Sequence, residues 1–158
     1  MRRALVIPAL LALASLAFLA SVATAPAHAD GSVSSLRKPD GRPMGMGARR
    51  GEMQLFDEVI AKYNASGERF RIDSHCQSAC TMFLSIRNVC VTPGATLLFH
   101  AGGTQAAGIS VAATQHMLSA YNAALRQYVT DNHFMDTFEF HPISGRDIVK
   151  RFGYPACR

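Results

Sequence analysis

Two side chains in this chain have the chemistry and the placement for joint work on an acyl group: Ser78 and, 22 residues on, His100. Ser78 stands in Cys76-Gln77-Ser78-Ala79-Cys80-Thr81, where the alternating stretch 69–73 gives way to the apolar run Thr81-Met82-Phe83-Leu84. His100 closes the apolar run Leu97-Leu98-Phe99 just before a glycine-rich segment. A serine at a helix N-terminus and a histidine at a strand end are the parts that a nucleophile and its general base need. The backbone N–H of Ala79, at the helix start, suits one half of an oxyanion hole. Both residues also fit structural roles: serine is a good helix cap, and a histidine at a strand end can simply bond a backbone carbonyl. His75, beside the serine, reads as an exposed polar residue at a strand exit. Asp147 is available as a triad acid, but Ser144-Gly145-Arg146-Asp147 also has the form of a capping box. Asp136 and Glu139 have no assignable partner.

The serine is bracketed by two of the four cysteines, Cys76 and Cys80; the others are Cys90 and Cys157. An even count in a small exported domain reads first as two disulfides with three possible connectivities. Cys80 on the first turn of a buried helix, with Cys90 in the strand returning beside it, favours Cys80–Cys90 and leaves Cys76–Cys157. A metal site built from His75, Cys76, Cys80 and Cys90 is the rival, weakened by the lack of a Cys-x-x-Cys pair. The reading is therefore no metal and no cofactor.

Export is inferred from the first 29 residues. Arg2 and Arg3 precede an apolar stretch, and Ala27-His28-Ala29 supplies a small-x-small cleavage site ahead of Asp30. A retained anchor is the alternative, since the apolar run approaches a bilayer span. Cleavage leaves no integral membrane segment and implies a periplasmic or secreted protein. Without the two leader arginines the net charge of +5 becomes +3. The basic residues Arg37-Lys38, Arg42 and Arg49-Arg50 have no interleaved aromatics, so nucleic-acid binding is not expected.

Residues 30–50, rich in Gly, Ser, Pro and Arg, read as a flexible basic segment, and residues 51–158 as one domain. Leu55, Phe56, Val59, Ile60 and Tyr63 recur at helical spacing within 51–65, with Gly67 as the stop. Strands are expected at 69–73, 88–92 and 95–100, with Pro93-Gly94 as a turn and 79–86 as a short buried helix. A mobile loop at 101–110 precedes a long helix from Val111 to about Asp131, and a last short helix begins at Ser144. Helices alternating with short strands indicate an α/β layered domain.

The run 71–101 resembles the Clp-protease/crotonase superfamily, and most of all its small exported Clp-like members. The likeness lies in Gln77-Ser78-Ala79 at a strand–helix junction and in Pro93-Gly94-Ala95-Thr96-Leu97-Leu98-Phe99-His100. Ser66-Gly67-Glu68 and Pro155-Ala156-Cys157 add to it, and it covers roughly residues 51–157. The resemblance implies a compact, truncated Clp/crotonase-like fold with Ser78 as nucleophile and His100 as base, acting on a peptide or acyl bond. The chain departs from that pattern where Met46-Gly47-Ala48-Arg49-Arg50-Gly51 replaces a Gly-Gly oxyanion loop, and where Ala156 stands at the acid position. His100-Ala101-Gly102-Gly103 is also similar to the oxyanion loop of α/β-hydrolase lipases, but no Gly-x-Ser-x-Gly accompanies it. A silent periplasmic binding module on the same scaffold is the competing class. Substrate and oligomeric state are left open by the sequence.

Overall fold

A computed structural model describes residues 30–158, so the expected leader, residues 1–29, lies outside the described residues. The chain enters through β1 (Gly31–Ser32), passes a 3-10 turn at Met44–Met46 and forms α1 (Met53–Ser66). Phe56 and Tyr63, two turns apart, are the buried face of α1. Gly67 ends the helix at φ 71°, a left-handed conformation that favours glycine, and its N–H donates to Tyr63 O at 3.0 Å. β2 (Phe70–Ile72) and β3 (His75–Gln77) follow, then a second 3-10 helix (Ser78–Ser85), β4 (Val89–Val91) and β5 (Thr96–Phe99). A small hairpin, β6 (Gly103–Thr104) and β7 (Gly108–Ile109), leads to α2 (Val111–Ser119) and α3 (Ala123–Asp131). β8 (His141–Ser144) and α4 (Gly145–Phe152) complete a mixed α/β fold.

Two three-stranded sheets organise the domain. One is parallel, in the order β1-β2-β4, with Phe70 opposite Val89 and Ile72 opposite Val91. The other has the order β3-β5-β8, with β3 parallel and β8 antiparallel to β5. The second 3-10 helix buries Ala79 through Leu84 between α1 and the sheets. Its hydroxyls match its geometry: Thr81 Oγ1 donates to Ser78 O at 2.7 Å and Ser85 Oγ to Met82 O at 2.8 Å, each three residues back. Phe56, Tyr63, Phe70 and Phe83 form a chain of aromatic contacts with centroids 4.8–5.5 Å apart.

Besides the strands β3 and β8, which are not expected from the sequence, the structure departs from the sequence reading in four places. Residues 30–50 are packed rather than loose: β1 pairs with β2, and Val33, Met44 and Lys38 are buried. Gly31 permits this, because a Cβ there would overlap the Tyr63 ring. The domain thus begins before residue 51. The expected long helix is broken between α2 and α3 because Asn122 is committed to other contacts. Its Oδ1 accepts from the Leu125 N–H, its Nδ2 donates to Phe152 O, and its own N–H donates to the Tyr154 hydroxyl. Residues 101–110 hold the β6–β7 hairpin rather than an unstructured loop.

The fourth departure is the cysteine pairing. Cys76 bonds Cys80 and Cys90 bonds Cys157, with Cα–Cα separations of 5.2 and 4.9 Å. The cause is visible in the backbone. The C-terminal segment adds itself to the edge of β4: Val91 N–H donates to Pro155 O, and Cys157 N–H donates to Val91 O. That places Cys157 beside Cys90 rather than beside the β3 exit. With all four sulfurs in disulfides, the thiolate-based metal site is replaced by cross-links that suit an oxidising compartment. Among the described residues, no helix is long and apolar enough to cross a membrane.

The two bonds differ in what they hold. Their sequence separations are 4 and 67 residues, and the chain-entropy relation assigns such loops about 2 and about 4 kcal/mol. Replacing Cys90 and Cys157 by alanine is therefore expected to cost roughly twice the stability lost on replacing Cys76 and Cys80. Denaturant unfolding of the two double variants measures the difference, and equal losses would contradict it.

Candidate active site

Ser78 does not cap the helix it starts. The N-cap position falls on Gln77, in extended conformation and with no side-chain cap bond, while Ser78 itself has φ +56°. Only one other non-glycine residue among those described, His133, has a positive φ. An L-residue pays a steric penalty there, and such strain persists only where the surroundings enforce it. Three constraints do so here. The Cys76–Cys80 bond closes across the serine. The Ser78 carbonyl is held by Thr81 Oγ1, which in turn lies 2.6 Å from the buried Tyr121 hydroxyl. Burial pushes the Tyr121 phenol far above its ordinary pKa, with the Thr81 bond opposing more weakly, so it stays a neutral hydrogen-bonding partner. The third constraint is Gly47, at φ +69°, packed so tightly that a Cβ would sit 2.8 Å from both Gln77 O and Ser78 Cβ.

The result is a strand–serine–helix elbow whose serine lines a cleft of about 320 Å³. Ala48, Arg49, Arg50 and Met53 form one wall, and residues of the β6–β7 hairpin the other. The Ser78 hydroxyl has no hydrogen bond among the described residues. Neither does the N–H of Ala48, which leaves it a free backbone donor beside the serine. The amide of Ala79, in the first turn of the 3-10 helix, is of the kind that a helix start leaves without a helical partner.

A network invisible to the sequence reading fixes the 47–52 wall. Lys38, read as part of a solvated basic segment, is 3% exposed. Its ammonium donates to Gly47 O and to Glu52 Oε2, the latter at 2.7 Å, and lies 5.8 Å from the Phe56 ring centroid. Glu52 also accepts from the Arg49 N–H at 2.9 Å and from Arg42. Burial would raise the Glu52 pKa, but the bonds from Lys38, the Arg49 amide and Arg42 outweigh it and hold the carboxyl at about 2. On the other side, His75 Nε2 and Gln77 Oε1 lie 2.7 Å apart, and Gln77 Nε2 donates to Met46 O. His75 therefore helps to position the loop at Gly47. A buried lysine shows no sequence signal of its own.

His100 reaches the right end of the sheet and stops short of the serine. β3 and β5 are parallel with Gln77 opposite Leu98, so Ser78 and His100 both leave the sheet at the same end. Yet both His100 ring nitrogens are buried without a hydrogen-bond partner, so no bond joins them to Ser78, and none fixes the tautomer. The ring instead packs edge-on to Phe140, 4.7 Å between centroids, and near Phe138 at 6.4 Å. Burial lowers its pKa; the adjacent Ala101 backbone favours the charged form more weakly and completes no hydrogen bond. Asp147 is not a third member: its Oδ2 accepts from Ser144 Oγ at 2.7 Å and its N–H donates back to that oxygen. Asp136 pairs with exposed His133 instead.

Compared with models of known protein families and with curated proteins, the chain matches none.

Two expected outcomes test the support around Ser78. Replacing Glu52 by glutamine leaves the Lys38 ammonium buried without its carboxylate and is expected to cost about 3 kcal/mol at pH 7. Because the folded carboxyl titrates near 2 against an ordinary 4.5, the stabilisation is complete above the ordinary value. It is lost as pH falls toward 2. The gap between wild type and variant, measured by denaturant unfolding, should narrow steadily below pH 4.5; a constant gap would exclude the carboxylate as its source. Gly47→Ala should displace the Ser78 backbone, seen as changed chemical shifts at residues 77–80 in a folded variant.

Proposed function

We propose that the protein is an exported Clp/crotonase-like serine hydrolase in which Ser78 attacks the carbonyl of a peptide or acyl substrate. The observation that carries this reading is the Ser78 elbow: positive φ, hydroxyl unbonded, and a place in the wall of a cleft. A structural cap would have none of these features. In the proposed reaction Ser78 Oγ bonds to the carbonyl carbon and its proton passes to a ring nitrogen of His100. The carbonyl oxygen becomes an oxyanion, for which the N–H groups of Ala79 and Ala48 are the available donors. Collapse expels the amine or alcohol, which takes the proton from His100, and water then hydrolyses the acyl-enzyme by the reverse sequence.

His100 has to turn toward the serine when substrate fills the cleft, since its nitrogens are unpaired at rest. That turn breaks no hydrogen bond of the ring, though it must leave the contacts with Phe138 and Phe140. With no carboxylate on the second nitrogen, the imidazolium formed in the transition state lacks a stabilising partner, and turnover should be slow. The same unpaired ring, packed on Phe138 and Phe140, favours a second reading: a module that binds peptide or acyl groups at this cleft without cleaving them.

Fluorophosphonate labelling of the oxidised protein separates the two. Label is expected on Ser78, lost in Ser78→Ala and reduced at least about a hundredfold in His100→Ala. Because burial lowers the His100 pKa from 6.5, the base stays neutral on mild acidification, and the labelling rate should hold until the pH is well below 6.5. Absence of label on Ser78 across pH 5–9 would leave the binding module.

A further inference from the structure

The Ser78 cleft contains two arginines and no acid. Its charged lining residues are Arg49 and Arg50; the rest of the wall is apolar, glycine or hydroxyl, including Met53, Ile109, Gly102 and Gly103. Both arginines are exposed, and neither guanidinium forms an ion pair among the described residues. Their neighbours in sequence are occupied: Lys38 by Glu52, and Arg42 by Asp40 and Glu52. The nearby acids are spent as well. Glu52 has Oε2 on Lys38 and on the Arg49 amide, and Oε1 on Arg42. Asp40 is close enough to feel the Arg49 charge, but its side chain is bonded to Arg42.

We propose that this cleft selects an acyl substrate bearing a carboxylate, an acidic peptide, with Arg49 and Arg50 holding the acid while Ser78 faces the carbonyl. The proposal rests on the reading of the Ser78 cleft as the place where the acyl group binds. A guanidinium presents planar paired N–H donors that match a carboxylate with two parallel charge-assisted bonds. Two of them in an acid-free cleft create a local positive field that concentrates anionic ligands and repels cationic ones. Met53 and the exposed Ile109 offer the remainder of a peptide apolar surface to cover. The loop bearing the arginines is anchored by Lys38 through Gly47 O and Glu52, so the charges are held at the cleft rim rather than carried on a loose segment.

The test is equilibrium binding to oxidised Ser78→Ala protein, measured by calorimetry. The probes are four N-acetylated, C-amidated tetra-alanine peptides with glutamate at each position in turn, and their glutamine counterparts. At least one glutamate peptide is expected to bind about tenfold more tightly than its glutamine isostere. The preference should shrink as salt rises to 0.5 M and disappear in Arg49→Gln/Arg50→Gln, whose melting temperature checks that the fold is intact. Equal affinity of every pair, or a preference that survives the double substitution, overturns the proposal. Labelling of Ser78 in the wild-type protein is read separately. Label without glutamate preference sinks the acidic-substrate inference alone, and preference without label sinks the hydrolase reading while leaving the ligand class standing.

Discussion

A single buried ammonium organises the working end of this protein. Lys38 is carried into the interior by a segment that looks solvated, and an unpaired charge at that depth would be costly. It is satisfied by the Gly47 carbonyl, by Glu52 at the threshold of α1, and by the face of Phe56. The contacts lie in the loop at Gly47 and along the first turns of α1, whose Phe56 belongs to the aromatic core, so one charge joins that loop to α1 and to the core. Gly47 is in turn the residue against which Ser78 is packed. The orientation of the serine therefore traces back, through two contacts, to a lysine that never touches it.

The elbow itself is stabilised locally. A residue of positive φ tends to relax toward the ordinary regions unless neighbours forbid it. Here the Cys76–Cys80 link closes a short ring around Ser78, and the Thr81–Tyr121 pair secures its carbonyl from the core side. The Cys90–Cys157 bond acts elsewhere, fastening the C-terminal segment to the parallel sheet. Division of labour follows: one disulfide shapes the site, and the other holds the domain together.

What the sequence made legible was whatever depended on local chemistry. The alternating strand at Phe70–Ile72, the apolar strand at Thr96–Phe99, the helical spacing through Phe56 and Tyr63, the Gly67 stop and the Ser144–Asp147 cap all appear as read. That Ser78 and His100 leave the sheet at one end follows from the register of β3 on β5, and β3 itself carries no sequence signal. The failures share a cause, which is dependence on distant partners. Asn122 interrupts a periodic helical run because Phe152 and Tyr154 claim it. Cys90 finds Cys157 because the last residues pair with β4, an edge that nothing nearby in sequence announces. Residues 30–50 lack periodicity because they are buried one residue at a time. The unbonded imidazole of His100 belongs to the same class, since its surroundings come from Phe138 and Phe140, some forty residues away.

The parallel sheet has a kinetic consequence. Its strands come from Gly31, Phe70 and Val89 onward, and its far edge is completed by Pro155–Cys157. The sheet thus joins parts of the chain separated by more than a hundred positions, with every parallel step demanding a crossover. Contacts of such long reach form late, after the entropy of closing large loops has been overcome. β1 has no strand partner until β2 is made, whereas Pro155–Cys157 meets an edge of β4 that precedes it in sequence. The parallel sheet is therefore complete only when Pro155–Cys157 has reached β4, however early the other sheet, β3-β5-β8, comes together.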